Sequence, residues 1–566
     1  MIIITKGKNY CELRGDKGTL LFVRKLLNEP LTIINKNYAY VERNAFFINN
    51  TIKKLNAEKQ DYRDIIDNLK FKLKNNTINS EQYKFEYENV HTNLKSLEFN
   101  LNKKVQSLTN VEKYLKFSKP EYNFYNINKD SNVDTFEIGF YPQIKHILKQ
   151  NNITFKTHNV FSYPPLTVDK KLFNREYQLT AVQKILDKKI GIIKLPTGSG
   201  KTEIALAFIN TILKYVLKRR RRIIFIIEQA ELLLQTRDDN FYDNVKKQYR
   251  FVTPATIGLI GSGFKDWDND IVIATVQTLN NMLTQEPKEF KDWAKTFDAY
   301  IIDECDNFTS DKRLKTLRYF NEAKWRLFLS ATPFSRFKEL ERFKLTGISG
   351  GIIYTIKESE LIKQGYLSQQ SAVFIKNYSI ENSNKQKQLK WLQAYEFLIV
   401  KSQHRNKLVF NIVELLKKFN LRALLIVERK EHGLLLSQKL ELPLYSGADD
   451  IFERKAAIAD IQSGKNKIII TTRIFRRAIN IPELQIYFNL AGYKSDNIVA
   501  QGKGRIGRIK TKNENKALYI DFADYGNKYL EQHSQERILT LKEMAVNIEE
   551  MYVESFETYL KNYFNL

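Results

Sequence analysis

Three stretches of the chain carry residue types that could act on a polyphosphate. The first, Leu195-Pro-Thr-Gly-Ser-Gly-Lys-Thr202, follows an apolar run at Ile190–Leu195 and opens a stretch with helical spacing. Gly198 and Gly200, with Ser199 between them, let backbone N–H groups turn inward around phosphate oxygens, and the helix start adds partial positive charge. Lys201 is then placed to reach the β- and γ-phosphates of a nucleotide, and Thr202 to offer a hydroxyl to Mg2+. Leu195 stands where the strict pattern has Gly, and a glycine-rich turn that merely caps a helix is the alternative reading. The second stretch, Ile301-Ile-Asp-Glu-Cys-Asp306, sets adjacent carboxylates at the end of an apolar strand. Charge there is costly unless it holds a cation or polarises water, which suits Asp303 to the Mg2+ shell and Glu304 to the general base for an attacking water. The third, Gln501-Gly-Lys-Gly-Arg-Ile-Gly-Arg508, spaces Arg505 and Arg508 three apart, on one face if helical. Two guanidinium groups reaching a γ-phosphate from a second domain would stabilise transition-state charge; taken alone, the segment also fits a basic surface helix.

These side chains need rigid elements to bring them together. From about residue 160 to 525, short β-branched runs alternate with helical stretches. Ile190–Leu195, Ile223–Ile227, Ile271–Ala274, Ala299–Ile302 and Leu327–Leu329 form one strand series. Ala423–Val427, Ile468–Thr472, Gln485–Asn489 and Ala517–Asp521 form another. Continuous apolar strands separated by helices predict two parallel sheets in tandem, each covered on both faces. The polar stretch Asn377–Gln388 reads as a loop, and Leu530–Leu566 as an amphipathic helical tail.

The first 160 residues have another texture. Met1–Thr5, Tyr10–Leu13, Phe136–Phe140 and Ile153–Thr157 read as strands, and Lys17–Leu27 and Gln143–Gln150 as helices. Between them Ala45, Ile48, Ile52, Leu55, Tyr62, Ile66, Leu69 and Leu73 keep a 3-4 spacing interrupted by Lys59. The spacing resumes after Asn75–Ser80 at Tyr83, Tyr87, Val90, Leu94, Leu97 and Leu101. This predicts an antiparallel coiled-coil hairpin at 45–118, with arms of roughly 45–55 Å, inserted into one small α/β domain. The predicted organisation is an N-terminal domain over 1–160, sheet domains over 161–348 and 349–526, and a helical segment over 527–566.

Composition bounds the partners. The 566 residues include 91 Lys and Arg against 64 Asp and Glu, a net charge of +27. Such a surplus points to a polyanion, nucleic acid first and an anionic membrane second. Cys11 and Cys305 are the two cysteines, which excludes a disulfide framework and a cysteine-built zinc site. The six histidines lack metal-ligand spacing, so Mg2+ accompanying ATP is the one metal expected. No apolar run approaches a membrane span, and Lys6 and Lys8 interrupt the start, so an intracellular location is expected. Lys218-Arg-Arg-Arg-Arg222 reads as a solvated turn before a strand, and the four tryptophans as packing residues.

Taken in order over residues 170–525, the motifs resemble those of superfamily 2 helicases and translocases, whose motor is a pair of RecA-like domains. Arg175-Glu-Tyr-Gln178 resembles the adenine-recognition segment, which makes Gln178 the reader of adenine and Tyr177 its support. Leu195–Thr202 resembles motif I, and Glu228–Gln235 (EQAELLLQ) stands in the place of motif Ia. Thr275 and Gln277 match a DNA-contacting motif, Asp303–Asp306 motif II, and Ser330-Ala-Thr332 motif III, which couples the ATP and nucleic-acid sites. Thr471–Leu484, beginning Thr471-Thr472, resembles motif V, and Gln501–Arg508 motif VI. Gln501, Arg505 and Arg508 would act on ATP from the second domain. Ala478 and Asn480 depart from the Gly and Asp usual in motif V, so no carboxylate stands at position 480 for the contact the family makes there.

DECD also resembles the DEAD-box RNA helicases, but their PTRELA-type and HRIGRTGR-type motifs are replaced by EQAELLLQ and QGKGRIGR. The DNA branch therefore fits better. Within it, Phe136-Glu-Ile-Gly-Phe-Tyr-Pro-Gln-Ile144, Asn151-Asn-Ile-Thr-Phe155 and the tail around His533, Glu536, Arg537 and Ile538 resemble phage recombination helicases of the UvsW type. The resemblance implies an ATP- and Mg2+-dependent motor remodelling branched or partly single-stranded DNA with little sequence preference, by branch migration or fork regression in recombination, repair or replication. An RNA helicase or RNP remodeller, a restriction-complex motor subunit and a non-motor DNA-binding scaffold stay open as alternatives. The hairpin would engage a protein partner or branched DNA.

Overall fold

The computed structural model describes residues 2–7, 9–28, 30–34, 36–117, 121–127, 133–159, 165–170, 175–214, 222–230, 232–243, 248–251, 255–334, 339–378, 388–446, 451–472, 484–493, 515–544 and 546–566. The chain divides into two compact units.

The first unit comprises Met1–Lys6, Tyr10–Glu137 and Gln143–His158. Its five-stranded sheet runs in the order Tyr125–Asn126, Val133–Glu137, Tyr10–Arg14, Ile2–Lys6, Phe155–Asn159. Alternate residues point inward: Ile2, Ile4, Cys11, Leu13 and Phe136 of the sheet are buried, as are Leu20, Val23 and Leu27 of the helix Lys17–Asn28. The strand expected at Phe136–Phe140 ends at Glu137; Ile138–Phe140 turns as a short 3-10 helix. Asp134 is fully buried and is bound by Arg24 Nη2 at 2.8 Å, Arg24 Nε at 2.9 Å and the Tyr125 hydroxyl at 2.6 Å, which compensates its lost hydration.

Within this unit, helices Lys36–Lys74 and Ser80–Phe117 pack as an antiparallel hairpin, the first starting nine residues earlier than the apolar spacing at Ala45 suggested. At about 1.5 Å per residue each arm is about 57 Å long. Asn76 takes φ 55° in the turn, and Asn79 Oδ1 accepts the Gln82 N–H at 2.8 Å to cap the second helix. Ile66, Leu69, Leu94 and Leu101 bury along the seam. Lys59, the polar interruption of the stripe, reaches across to Glu98 at 2.7 Å. At the root, Thr32–Ile34 pairs antiparallel with Glu121–Asn123 and closes the hairpin onto the sheet domain.

The second unit, Gly7–Asn9, Ile138–Pro142 and Asn159–Leu566, holds two large sheets. The first has the strand order Phe264–Lys265, Ile257–Gly261, Ile271–Thr275, Ile223–Ile227, Ala299–Ile302, Trp325–Ser330, Ile190–Lys194, Ile352–Thr355. Only Phe264–Lys265 pairs antiparallel among these strands. Successive residues feed opposite faces, so both are apolar. Ile193, Phe225, Ile273, Ile301 and Leu327 meet the helices Glu176–Lys188 and Lys201–Lys214. Ile192, Ile224, Val272, Tyr300 and Phe328 meet Val276–Gln285 and Asp311–Arg318.

The second sheet is parallel throughout, in the order Leu444–Tyr445, Ile468–Thr471, Ala423–Ile426, Ile486–Asn489, Lys516–Tyr525, Gln369–Tyr378, Asn547–Met551. Three of these strands, Leu444–Tyr445, Gln369–Tyr378 and Asn547–Met551, differ from the sequence expectation. Gln369–Tyr378 pairs along its whole length with Lys516–Tyr525, so Asn377 lies in a strand; residues 379–387 of the expected loop lie outside the described residues. The tail is helical at Lys528–Glu543 and Val553–Phe564, but Asn547–Met551 between them is an edge strand. It forms because Gln369–Tyr378 would otherwise leave a row of unpaired backbone groups. Phe556, Leu560 and Phe564 then bury in the same core as Val373 and Ile375. Arg537 binds Asp521 through Nε at 2.9 Å and Nη2 at 3.0 Å, both residues fully buried, and ties Lys528–Glu543 to the sheet.

Candidate nucleotide site

Three adjacent strands of the first sheet, Ala299–Ile302, Trp325–Ser330 and Ile190–Lys194, deliver the candidate residues from their carboxyl ends, where open α/β sheets place ligands. The loop after Ile190–Lys194 turns at Gly198 (φ 82°) and Gly200 (φ 84°), conformations that exclude most side chains. A Cβ on Gly200 would also stand 2.5 Å from Gln178 Nε2. Leu195, at the position where Gly is usual, points away from the loop and is buried in the core with Ile193 and Ile204. Its N–H donates to the Ser330 carbonyl at 3.1 Å, so the loop start is a core anchor that needs no glycine.

Gln178 and Tyr177 are both buried against this loop. The Tyr177 hydroxyl donates to the Ser199 carbonyl, and Gln178 Nε2 reaches the same oxygen at 3.4 Å. Tyr366, which the sequence did not single out, lies 6.0 Å from the Tyr177 ring, with the Arg175 guanidinium 4.4 Å above it. Its one sequence signal is an aromatic following Gly365 in an otherwise polar turn.

Lys201 begins the helix Lys201–Lys214, with Thr202 half-buried beside it. Lys201 Nζ lies 3.3 Å from Glu304 Oε1 and makes no hydrogen bond. Burial opposes its charge, but the carboxylates of Glu304, Asp303 and Asp306 outweigh that and hold the ammonium protonated more firmly than usual. The opposite holds for the acids. Burial first, then the Glu304 charge, pushes Asp303 up to about 7, with Lys201 opposing. The same causes push Asp306 up to about 6, against the Ser330 hydrogen bond. Cys305 between them is a buried thiol raised by burial. Glu304 takes φ 49° and ψ 56°, a left-handed conformation costly for glutamate. Its N–H donates to Asp303 Oδ1 at 3.1 Å.

A nucleotide triphosphate with Mg2+ fits these residues. An ammonium without a hydrogen bond, an inward glycine loop at a helix start, and acids poised near neutrality are what a charged ligand would complete. Among the described residues no cluster of three carboxylates, His or Cys could hold a metal unaided. Mg2+ takes one or two carboxylates and relies on phosphate and water for the rest, a role Asp303 and Thr202 would fill.

The remaining candidates divide. Ser330 and Thr332 adjoin the carboxylates: Ser330 Oγ donates to Asp306 Oδ1 at 2.8 Å and accepts the Thr332 N–H at 3.0 Å. Thr275 is buried and caps Val276–Gln285, accepting the Thr278 N–H, while Gln277 is exposed and reaches Asn281 at 3.2 Å. Gln235 ends the short helix Leu232–Gln235. Thr471, fully buried, ends a strand of the second sheet, and Thr472 follows it. Gln501, Arg505, Arg508, Ala478 and Asn480 lie outside the described residues.

In the basic run, 218–221 lie outside the described residues, and Arg222 corrects the expectation of a solvated turn. It is buried, with Nε donating to the Asn269 carbonyl at 3.0 Å, Nη1 to Thr296 at 2.6 Å and its guanidinium 4.6 Å from the Phe297 ring. The four tryptophans pack as expected: Trp325 is buried, Trp267 and Trp293 meet edge to face at 5.2 Å, and Trp391 lies against Tyr395, Tyr493 and His533. No helix among the described residues is long and apolar enough to cross a membrane.

Comparison with known proteins matches residues 171–335 to the family model described as the type III restriction enzyme res subunit, and residues 383–510 to the helicase conserved C-terminal domain. A putative helicase of the Sulfolobus islandicus filamentous virus is 25% identical over 407 residues, covering 68% of this chain and 69% of that protein. The DNA 3'-5' translocase XPB2 of Sulfurisphaera tokodaii is 22% identical over 423 residues, covering 68% of this chain and 89% of the relative. Among solved structures, that of T4 UvsW aligns over 98% of this chain and 99% of its own at 16% identity and a TM-score of 0.38. With both halves of a two-sheet motor present in order along the chain, the protein belongs to the superfamily 2 ATP-dependent helicases and translocases.

Proposed function

We propose that this helicase is a DNA motor that remodels branched DNA, by branch migration or fork regression in recombination, repair or replication. The observation that carries the motor reading is the joining of Lys201, Glu304 and Asp306 to Ser330 in one cluster. The nucleotide would supply the free energy of hydrolysis. Lys201, Thr202 and the loop from Gly198 to Gly200 would hold its phosphates, Asp303 and Thr202 the accompanying Mg2+, and Glu304 would take the proton of the attacking water. Gln178 and Tyr177 would read the base. Gln501, Arg505 and Arg508 would act from the second sheet domain.

DNA rather than RNA is supported by the EQAELLLQ and QGKGRIGR segments and by relatives described as DNA translocases. Gln235, Thr275, Gln277, Thr471 and Thr472 would meet the phosphate backbone, with Ser330 and Thr332 coupling that contact to hydrolysis. Branched substrates are supported by the flanking segments that resemble the UvsW type. The coiled-coil hairpin is assigned to a protein partner. Residues 36–117 carry 15 basic and 10 acidic side chains, an excess of five, so most of the +27 surplus lies on the rest of the chain.

The test is a substrate panel with ATP: a mobile Holliday junction, a fork, tailed duplexes and an RNA duplex. Processing of junction and fork in preference to the rest is expected. Unwinding of the tailed duplexes alone would overturn the branched-DNA reading, and stimulation by RNA alone would overturn DNA. The match to a restriction-enzyme subunit favours a second reading, a motor working within a nuclease complex. Translocation along unbranched duplex without strand separation would support it.

A further inference from the structure

The nucleic-acid side of the first sheet and the carboxylates are joined by a side chain that no motif includes. Resting on the DNA-motor reading, we infer that Arg313 is a positioning residue that transmits the state of the Glu228–Gln235 segment to Glu304. Arg313 lies in the helix Asp311–Arg318, beyond the motif II loop. Its Nη1 and Nη2 each donate to Glu228 Oε1 at 3.2 Å, and Nη1 also donates to the Asn307 carbonyl. The guanidinium sits 5.7 Å from the Phe308 ring centre. Asn307 in turn holds Glu304: its N–H donates to the Glu304 carbonyl at 3.1 Å and its Nδ2 to the same oxygen at 3.4 Å.

The relay therefore runs Glu228, Arg313, Asn307, Glu304. It ends on the one residue of the cluster whose backbone is left-handed, at φ 49°. Such a conformation persists only where its surroundings hold it, so releasing Asn307 would let Glu304 relax and carry its carboxylate away from Lys201. Glu228 directly follows the strand Ile223–Ile227, the neighbour of Ala299–Ile302 in the sheet. The segment it opens is the one proposed to meet DNA, so a shift there pulls on the guanidinium. Arg313 and Glu228 are only 25% and 21% exposed, which shields the pair from solvent screening. A planar fork can serve Glu228 and Asn307 together, whereas a lysine offers one point charge.

The test measures ATP hydrolysis by the full chain with and without duplex DNA, together with KM for ATP and the melting temperature. In Arg313→Gln the stimulated-to-basal ratio is expected to fall about tenfold while KM for ATP stays within about twofold. Arg313→Lys should recover only part of the ratio. Glu228→Gln should resemble Arg313→Gln, and the double variant should be no worse than either single one. A folded Arg313→Gln with the wild-type ratio, or additive losses in the double variant, overturns the relay while leaving the motor reading intact. If Arg313→Gln does not fold, Glu228→Gln, which keeps the Arg313 bond to Asn307, decides alone by the same ratio. Wild-type protein with no DNA stimulation overturns the DNA-motor reading and the relay with it.

Discussion

The Ser330 hydroxyl and the Asp306 carboxylate are joined by a 2.8 Å hydrogen bond that links the end of the strand Trp325–Ser330 to the loop carrying Glu304. Ser330 is fully buried and also accepts the Thr332 N–H, so one oxygen fixes the exit of the strand and the acid together. Ser330→Ala removes that link without touching Lys201 or Glu304. Hydrolysis is expected to stay within about threefold of wild type, and DNA strands displaced per ATP to fall about tenfold. Parallel loss of both activities would show that the bond serves chemistry rather than coupling.

Lys201 is the cation among three acids, and Lys201→Ala is expected to reduce DNA-stimulated hydrolysis by at least about a hundredfold. Retained turnover, measured as phosphate release, would remove the active site from this loop.

Gly200→Ala meets two obstacles, φ 84° and the 2.5 Å approach to Gln178 Nε2. Nucleotide affinity is expected to fall at least about tenfold and the melting temperature by only about 1–2 °C, because the strain falls on the loop and on the one side chain of Gln178 beside it. Titration with a fluorescent ATP analogue measures the first quantity and thermal unfolding the second.

Asp303 gives a pH signature. Its folded-state value, about 7, lies above the ordinary 3.8, so the folded protein holds this proton more tightly than the unfolded chain. The stability it contributes is fully present below the ordinary value and is lost as pH rises through about 7. Asp303→Asn should therefore raise the melting temperature of the nucleotide-free protein by about 2–4 °C near pH 8, have little effect near pH 4, and abolish hydrolysis. A lower melting temperature near pH 8 would mean that the carboxylate is stabilised in place.

Excising 36–117 and closing 35 to 118 with a short glycine-serine turn should leave the unit folded, since Thr32–Ile34 and Glu121–Asn123 already pair at the root. The slope of log affinity against log salt is expected to keep at least about three-quarters of its wild-type value. Loss of more than half would move the DNA track onto the hairpin.

What could be read from the chain was local. The loop from Gly198 to Thr202, the acids after Ile302 and the heptads around Leu69 and Leu94 each declare themselves within a few residues, because turn chemistry and periodicity act over that range. Arg313 is invisible by the same logic: its partners lie 85 and 6 residues away, and nothing around it differs from a solvated helix. Asn547–Met551 carries two glutamates and no alternation, so its strand exists only because Gln369–Tyr378 offers an edge. Arg222 looked like the end of a charge run until the Asn269 carbonyl and the Phe297 ring, far along the chain, gave it a buried place.

The closing strand and helix at Asn547–Phe564 also order events during synthesis. The first sheet has all its strands once Thr355 has emerged from the ribosome, whereas Gln369–Tyr378 must wait for Lys516–Tyr525 on one side and Asn547–Met551 on the other. The first half can thus fold while the second still exposes Val373, Ile375 and an open edge, the kind of surface that chaperones hold.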